Sequence, residues 1–203
     1  MRLVFASNNT HKLSEVRQIM PPDVEVLSLR DIGFEAEIDE TGSALEENSM
    51  IKAQAVVTFI SERLLTHIER PDGVFADDTG LEIDALNGAP GVYTARWAGD
   101  PAANRAKALR ELEGNENRGC QFRTVITLIK LSTLNNPQSV IQVQGVVRGR
   151  IATAEYGEGG FGYDPLFIPD GYDKTFAELP ASVKNTISHR ARALKELLKV
   201  LNC

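Results

Sequence analysis

The chain has 203 residues, 28 of them acidic and 22 basic, for a formal charge of −6. That length makes one large domain or two tightly joined lobes, and 42% apolar with 25% charged residues is the composition of a globular protein with its own core. The acidic balance speaks against broad nucleic-acid binding, no apolar run approaches the roughly 18 residues of a membrane span, and Cys120 and Cys203 are too far apart for a thiolate zinc site or a disulfide framework, which fits a reducing cytoplasm.

Leu3-Val4-Phe5-Ala6 reads as a short buried strand, which passes into the polar turn Ser7-Asn8-Asn9-Thr10-His11-Lys12. A helix is expected from about Leu13 to Met20, stopped by Pro21-Pro22, and a second strand from Val24 to Leu27. Ser43-Ala44-Leu45-Glu46 has the form of a capping box. It opens a helix expected to run to Leu65, with Leu45, Met50, Ala53, Val56, Val57, Ile60 and Leu64 as its inward stripe. Val74-Phe75-Ala76 reads as a strand that ends in two aspartates. The Gly- and Pro-rich loop Asn87-Gly88-Ala89-Pro90-Gly91 follows, and then a helix from about Ala102 to Leu112.

Cys120 to Leu131 and Ser139 to Ile151 are long strands rich in Val, Ile and Thr, joined through Asn135-Asn136-Pro137 as an antiparallel hairpin. The last helix starts near Ser188, with Ala191, Leu194, Leu197, Leu198 and Leu201 on one face. Helices alternating with strands around a central hairpin predict an α/β fold, a mixed sheet with helices packed on it.

Five segments carry residues suited to chemistry. Ser7 to Lys12 lies between a strand and a helix, where amides and small polar side chains suit phosphate oxygens and Lys12 adds a mobile cation; taken alone, an Asn-rich turn with a solvated Lys is the plainer reading. Asp77-Asp78-Thr79-Gly80 follows a short apolar strand, where open sheets place ligands, and its hard carboxylate oxygens suit Mg²⁺; the alternative is a turn in which Asp caps backbone amides. Asp39 and Glu40 could complete a metal site with Asp78, or simply favour the helix N-terminus that follows.

In Gly157-Glu158-Gly159-Gly160-Phe161-Gly162-Tyr163-Asp164-Pro165, glycines let backbone and rings approach a flat ligand, so Phe161 or Tyr163 could stack on a base and Asp164 accept hydrogen bonds; a tight bend with two packing aromatics is the plainer reading. Lys184 to Arg190 places Lys, His and Arg at a helix start, against the usual preference for acids there, which makes sense if an anion or an electron-rich base edge arrives; the alternative is a chance basic helix start. His11 and His67 carry no partner pattern, and Trp97 reads as a core or interface anchor.

In this order the segments resemble the inosine triphosphate pyrophosphatase family, the Ham1-like or RdgB-like non-canonical purine nucleotide pyrophosphatases. The carrying residues are Ser7-Asn8-Asn9-Thr10-His11-Lys12 for the family's Thr-Gly-Asn-x-x-Lys, Glu40-Thr41-Gly42 with Glu46-Glu47-Asn48, and Ala76-Asp77-Asp78-Thr79-Gly80-Leu81. They continue with Gly88-Ala89-Pro90-Gly91-Val92-Tyr93, Gly160-Phe161-Gly162-Tyr163-Asp164-Pro165 and Ser188-His189-Arg190. Ser7 and Asn8 replace the family's Thr and Gly, Thr79 stands where Ser is common, and Asp39 stands where Glu is usual with Glu40 beside it.

The resemblance covers essentially the whole chain and implies a single domain over residues 1–203: an elongated mixed sheet flanked by helices, two lobes with the active site in the cleft between them, and a homodimer. It implies Mg²⁺-dependent hydrolysis of ITP, dITP and XTP to the monophosphate and pyrophosphate in the cytoplasm. Carried over residue by residue, Asp78 is the proton acceptor or water-orienting base and a metal ligand, with Asp39 or Glu40 as the second carboxylate. Ser7, Asn8, Asn9, Thr10, His11, Lys12 and Thr79 hold the triphosphate, Lys12 with a catalytic role. Phe161, Gly162, Tyr163, Asp164, Lys184, His189 and Arg190 hold base and sugar.

A deaminated purine offers a 6-oxo acceptor where adenine offers an amino donor, so donors such as His189 and Arg190 would be left unpaired by adenine. The competing classes are a pyrophosphatase for other modified nucleotides, a non-hydrolytic nucleotide sensor and an RNA-binding module. The sensor would call for a damaged metal site, and the RNA module for a basic stripe that the chain lacks.

Overall fold

The structure, a computed structural model, describes residues 1–62, 70–131 and 140–201. The strands are β1 (Arg2–Phe5), β2 (Glu25–Leu27), β3 (Gly73–Ile83), β4 (Pro90–Gly91), β5 (Gly119–Lys130), β6 (Val140–Ile151) and β7 (Phe167–Pro169). The helices are α1 (Thr10–Ile19), α2 (Leu45–Glu62), α3 (Pro101–Glu111), α4 (Ala181–Ile187) and α5 (His189–Leu201). The strands form a seven-stranded sheet in the order β2-β1-β3-β5-β6-β7, with β4 paired on β3. β2 and β3 run parallel to β1, whereas β4 is antiparallel to β3 and β7 to β6. The sheet is mixed and flanked by helices, as predicted.

Two compact units divide the chain: Met1–Asp78, Val125–Gln144 and Ala193–Cys203 form the first, and Thr79–Thr124 with Gly145–Arg192 the second. In the first unit β1 is buried on both faces, the pattern of a strand inside a parallel arrangement. Leu3 and Phe5 join a cluster with Val16, Phe75, Ile126 and Leu194, while Val4 and Ala6 join one with Leu27, Val56, Val74 and Ile129. The two-residue period of a strand thus serves two cores at once. The Phe5 and Phe75 rings stack at 4.9 Å in the first of these. The second unit has its own core, including Leu81, Ile83, Phe122, Tyr163, Phe167 and Phe176.

Several expected boundaries move. β3 does not stop at the aspartates but continues through them to Ile83. Past Gly80 the buried Leu81 and Ile83 sustain the alternation, and both carboxylates find cations that no short-range pattern shows. Helix α1 begins at Thr10 rather than Leu13, because Asn9 caps it. The reach-back at the start of α2 comes from Glu47 rather than Glu46: its carboxylate accepts the Ser43 N–H at 2.6 Å and the Ser43 hydroxyl at 2.9 Å.

The last helix, α5, starts at His189 as expected, but a separate short helix, α4, precedes it across Ser188, so Lys184 belongs to α4 and not to the start of the last helix. The expected helix end at Leu64 and Leu65, His67, the turn at Asn135-Asn136-Pro137 and Cys203 lie outside the described residues. Among the described residues no helix is long and apolar enough to cross a membrane.

Candidate active site

The first polar turn is built by its own side chains. Ser7 Oγ accepts the Asn9 N–H at 3.2 Å, and Asn9 Oδ1 accepts the Lys12 N–H at 3.1 Å. This places Thr10, His11 and Lys12 in the first turn of α1, with Asn8, Asn9, Thr10 and His11 exposed and Ser7 and Lys12 half-buried. Lys12 reaches back to β3, where its Nζ donates to Asp77 Oδ1 at 2.9 Å. Asp77 is buried, so this pair is shielded from solvent and salt.

Asp78, next in the strand, turns to different partners. Its Oδ1 lies 3.1 Å from Lys52 Nζ, and its Oδ2 accepts the Asn48 side-chain N–H at 3.2 Å. Lys52 and Asn48 both come from α2, where the 3.6-residue period buries positions 45, 48, 49, 52, 53, 56, 57 and 60. Asn48 is itself oriented by the Gly42 N–H, which donates to its Oδ1 at 2.8 Å. Any side chain at Gly42 would strike Asn48 and Glu47, so the glycine permits the close approach.

The same Lys52 ammonium also lies 3.1 Å from Glu40 Oε1. Of the two adjacent acids, Glu40 therefore meets Asp78 at a shared cation, while Asp39 is exposed. Burial pushes the Asp78 carboxyl above its ordinary value, against the opposing pull of Lys52 and Lys12. Burial alone would lower Lys52, but Asp78, Asp77 and Glu40 together outweigh it and hold the ammonium above its ordinary value.

Among the described residues no three acidic, imidazole or thiol groups form a ready cation cage. Asp78 and Glu40 instead offer two hard carboxylates converging on one positive charge, a donor set that suits a divalent cation retaining most of its waters.

In the second unit, Asp164 organises the glycine-aromatic loop. Its Oδ2 accepts the Phe161 N–H at 2.7 Å and the Lys184 ammonium at 2.6 Å, and Lys184 is buried. A side chain at Gly160, whose φ is +71°, would collide with that carboxylate. Lys184 Nζ and Arg190 Cζ lie 4.8 Å and 5.8 Å from the centre of the half-buried Phe161 ring. Gly162 O accepts from Arg105 Nη1 at 3.0 Å.

Tyr163 is part of the core, with its hydroxyl donating to Thr94 O at 3.2 Å and burial raising its ionisation far above the ordinary value. Of the two aromatics of this loop, Tyr163 is thus packed into the core, whereas the Phe161 ring is half-buried. His189 and Arg190 open α5 fully inside the unit, with His189 stacked on Phe122 at 4.6 Å. Thr79 Oγ1 lies 2.7 Å from Thr124 Oγ1. Trp97 is half-buried against the core with Lys107 Nζ 4.5 Å over its ring, and Tyr93 is the exposed aromatic of that region, 55% accessible.

Sequence reasoning missed Lys52, Thr124 and Arg105, and named Asn48 only as part of a motif. The signal for Lys52 and Asn48 is their place on the buried stripe of α2, where a lysine and an asparagine must find partners.

The sequence profile of the Ham1 family matches residues 3–200. The chain is 44% identical over 204 residues to the dITP/XTP pyrophosphatase of Flavobacterium johnsoniae, covering 99% of this chain and 98% of that protein. It is likewise 44% identical over 204 residues to the dITP/XTP pyrophosphatase of Bacillus subtilis, covering 98% and 96%. Among solved structures, the Staphylococcus aureus Ham1 protein superposes with a TM-score of 0.82 at 36% identity, covering 100% of this chain and 98% of that one.

Proposed function

The chain belongs to the Ham1 family, and from that premise we propose that it hydrolyses non-canonical purine nucleoside triphosphates, ITP, dITP and XTP, to the monophosphate and pyrophosphate. One observation carries the reading: two consecutive strand carboxylates each have their own lysine, Lys12 on Asp77 and Lys52 on Asp78, with Glu40 on the second lysine as well. An acidic chain that binds a polyanion needs such local cations, and a carboxylate kept basic by burial suits proton abstraction from water.

In this reading Ser7, Asn8, Asn9, Thr10, His11 and Thr79 hold the triphosphate. Lys12 leaves Asp77 to bind a phosphate oxygen and to stabilise the charge that develops on the departing pyrophosphate. Asp78 and Glu40 would hold Mg²⁺, which when bound neutralises the phosphates and stabilises the leaving group. Asp78 orients the attacking water in line with the α-phosphorus and accepts its proton, with Asn48 and Lys52 fixing the carboxylate. Glu40 is preferred over Asp39 because it is the one that shares Lys52 with Asp78.

For the base, Phe161 stacks on the purine, and His189 and Arg190 offer donors to its 6-oxo group. Lys184 acts through Asp164, which pins the loop that carries Phe161. We place the enzyme in the cytoplasm as a two-fold homodimer. The exposed Tyr93, with the Arg96 guanidinium 5.3 Å over its ring, supports a partner-facing surface there. Light scattering should then give twice the mass of one chain.

The test of function is pyrophosphate release from a panel of ITP, dITP, XTP, GTP, ATP and modified pyrimidine nucleotides, with and without chelator. Fast, Mg²⁺-dependent release confined to the first three is expected. A comparable rate for ATP would refute the base assignment, whereas GTP, which carries the same 6-oxo acceptor, tests only whether its 2-amino group is excluded.

A further inference from the structure

Thr124 lies on β5 with its side chain fully buried, and its hydroxyl sits 2.7 Å from that of Thr79 on β3. Thr79 is the partner of that hydroxyl among the described residues, and Thr79 itself is only half-buried. Each threonine hydroxyl has one proton to donate and two lone pairs to accept with. Distance alone lets either oxygen be the donor.

Burial breaks the tie. A buried O–H that does not donate forfeits its hydrogen bond, whereas an oxygen with an unused lone pair loses much less. Among the described residues the Thr124 hydroxyl has no second partner to take its proton, while Thr79 can direct its own outward. Thr124 therefore donates and Thr79 accepts, which leaves the Thr79 proton aimed away from the strand pair.

We infer that Thr124 is a positioning residue: it locks the Thr79 hydroxyl as a donor toward an incoming phosphate oxygen without touching that oxygen itself. An oxyanion accepts hydrogen bonds and cannot donate them, so a hydroxyl already turned proton-first needs no reorientation when the anion arrives. The inference rests on the reading that Thr79 holds phosphate, and the test separates the two.

Thr124→Val keeps the branched shape and removes the donor. Measured on the full chain by calorimetry with inorganic tripolyphosphate, its affinity should fall about 3- to 10-fold. With ITP, KM should rise by the same factor while kcat holds, because the bond exists in both ground and transition states. Thr124→Ser should restore both. Thr79→Val should lose at least as much, and adding Thr124→Val to it should cost nothing more, since the two residues act as one unit.

Wild-type affinity in Thr124→Val, failure of Thr124→Ser to restore it, or additive losses in the double variant would each overturn the inference while Thr79→Val still binds weakly. Unchanged affinity in Thr79→Val would remove the phosphate reading and the inference together. Should the valine variant fail to fold, Thr124→Ala against Thr124→Ser gives the same comparison.

Discussion

Lys52 Nζ stands 3.1 Å from Asp78 Oδ1, a buried ion pair that joins helix α2 to the middle of strand β3. The pair sets the charge state of the carboxylate assigned to proton abstraction. Lys52→Met removes the nearer cation that opposes the burial-driven rise of Asp78, so the carboxyl should rise further and the acid limb of the rate–pH profile should move to higher pH. An unmoved limb would show that Asp78 does not govern it.

The sign for stability is separate. Lys52 is held above its ordinary 10.5 by the carboxylates despite burial, so its contribution is complete below that value and is lost as pH rises through the raised one. Denaturant unfolding should show that alkaline loss in the wild type and not in Lys52→Met.

Asp78→Asn preserves shape and the contact with Asn48 but cannot accept a proton from water. Turnover should fall by roughly 10²- to 10⁴-fold, the contribution of a positioned general base. A thermal melt near that of the wild type would show that the loss is chemical. Substantial activity in the folded variant with Mg²⁺ present would contradict the assignment.

Gly160→Ala tests the loop that carries Phe161. The left-handed backbone at Gly160 disfavours any side chain by about 1–2 kcal/mol, and the added methyl would meet the Asp164 carboxylate that anchors Phe161. A lowered melting temperature together with a raised KM for ITP is expected. A variant that melts lower with unaltered KM would detach this loop from the substrate.

Much of this architecture was legible in the sequence. The strand–turn–helix at the N-terminus, the α2 stripe and the two long strands announce themselves by apolar period and by Asn and Gly punctuation. The extension of β3 through Asp77 and Asp78 was not, because adjacent aspartates read as a turn until their cations are known. Those cations, Lys12 and Lys52, lie 65 and 26 positions away, beyond any local pattern. The start of the last helix near Ser188 was legible, but α4 was not, because seven residues are too few to show an apolar period. Tyr163 and Phe161 look equivalent in sequence, and only packing tells them apart.

Arg190→Ala addresses base choice. Arg190 is fully buried beside Phe161, and removing a charged donor to a polar base edge is worth about 1.5–3 kcal/mol, or about 10- to 150-fold in kcat/KM for ITP. The ATP rate should change far less, since adenine offers that donor no acceptor, so the preference should collapse through the ITP rate. Equal losses for both nucleotides would place Arg190 on the phosphates or in the fold.

The most direct measurement is ITP hydrolysis in heavy-oxygen water, with both products analysed by mass spectrometry. Attack at the α-phosphorus, with Asp78 taking the proton from water, puts the heavy oxygen in the monophosphate and leaves the pyrophosphate unlabelled. Label in pyrophosphate, or release of orthophosphate in place of pyrophosphate, would contradict the account.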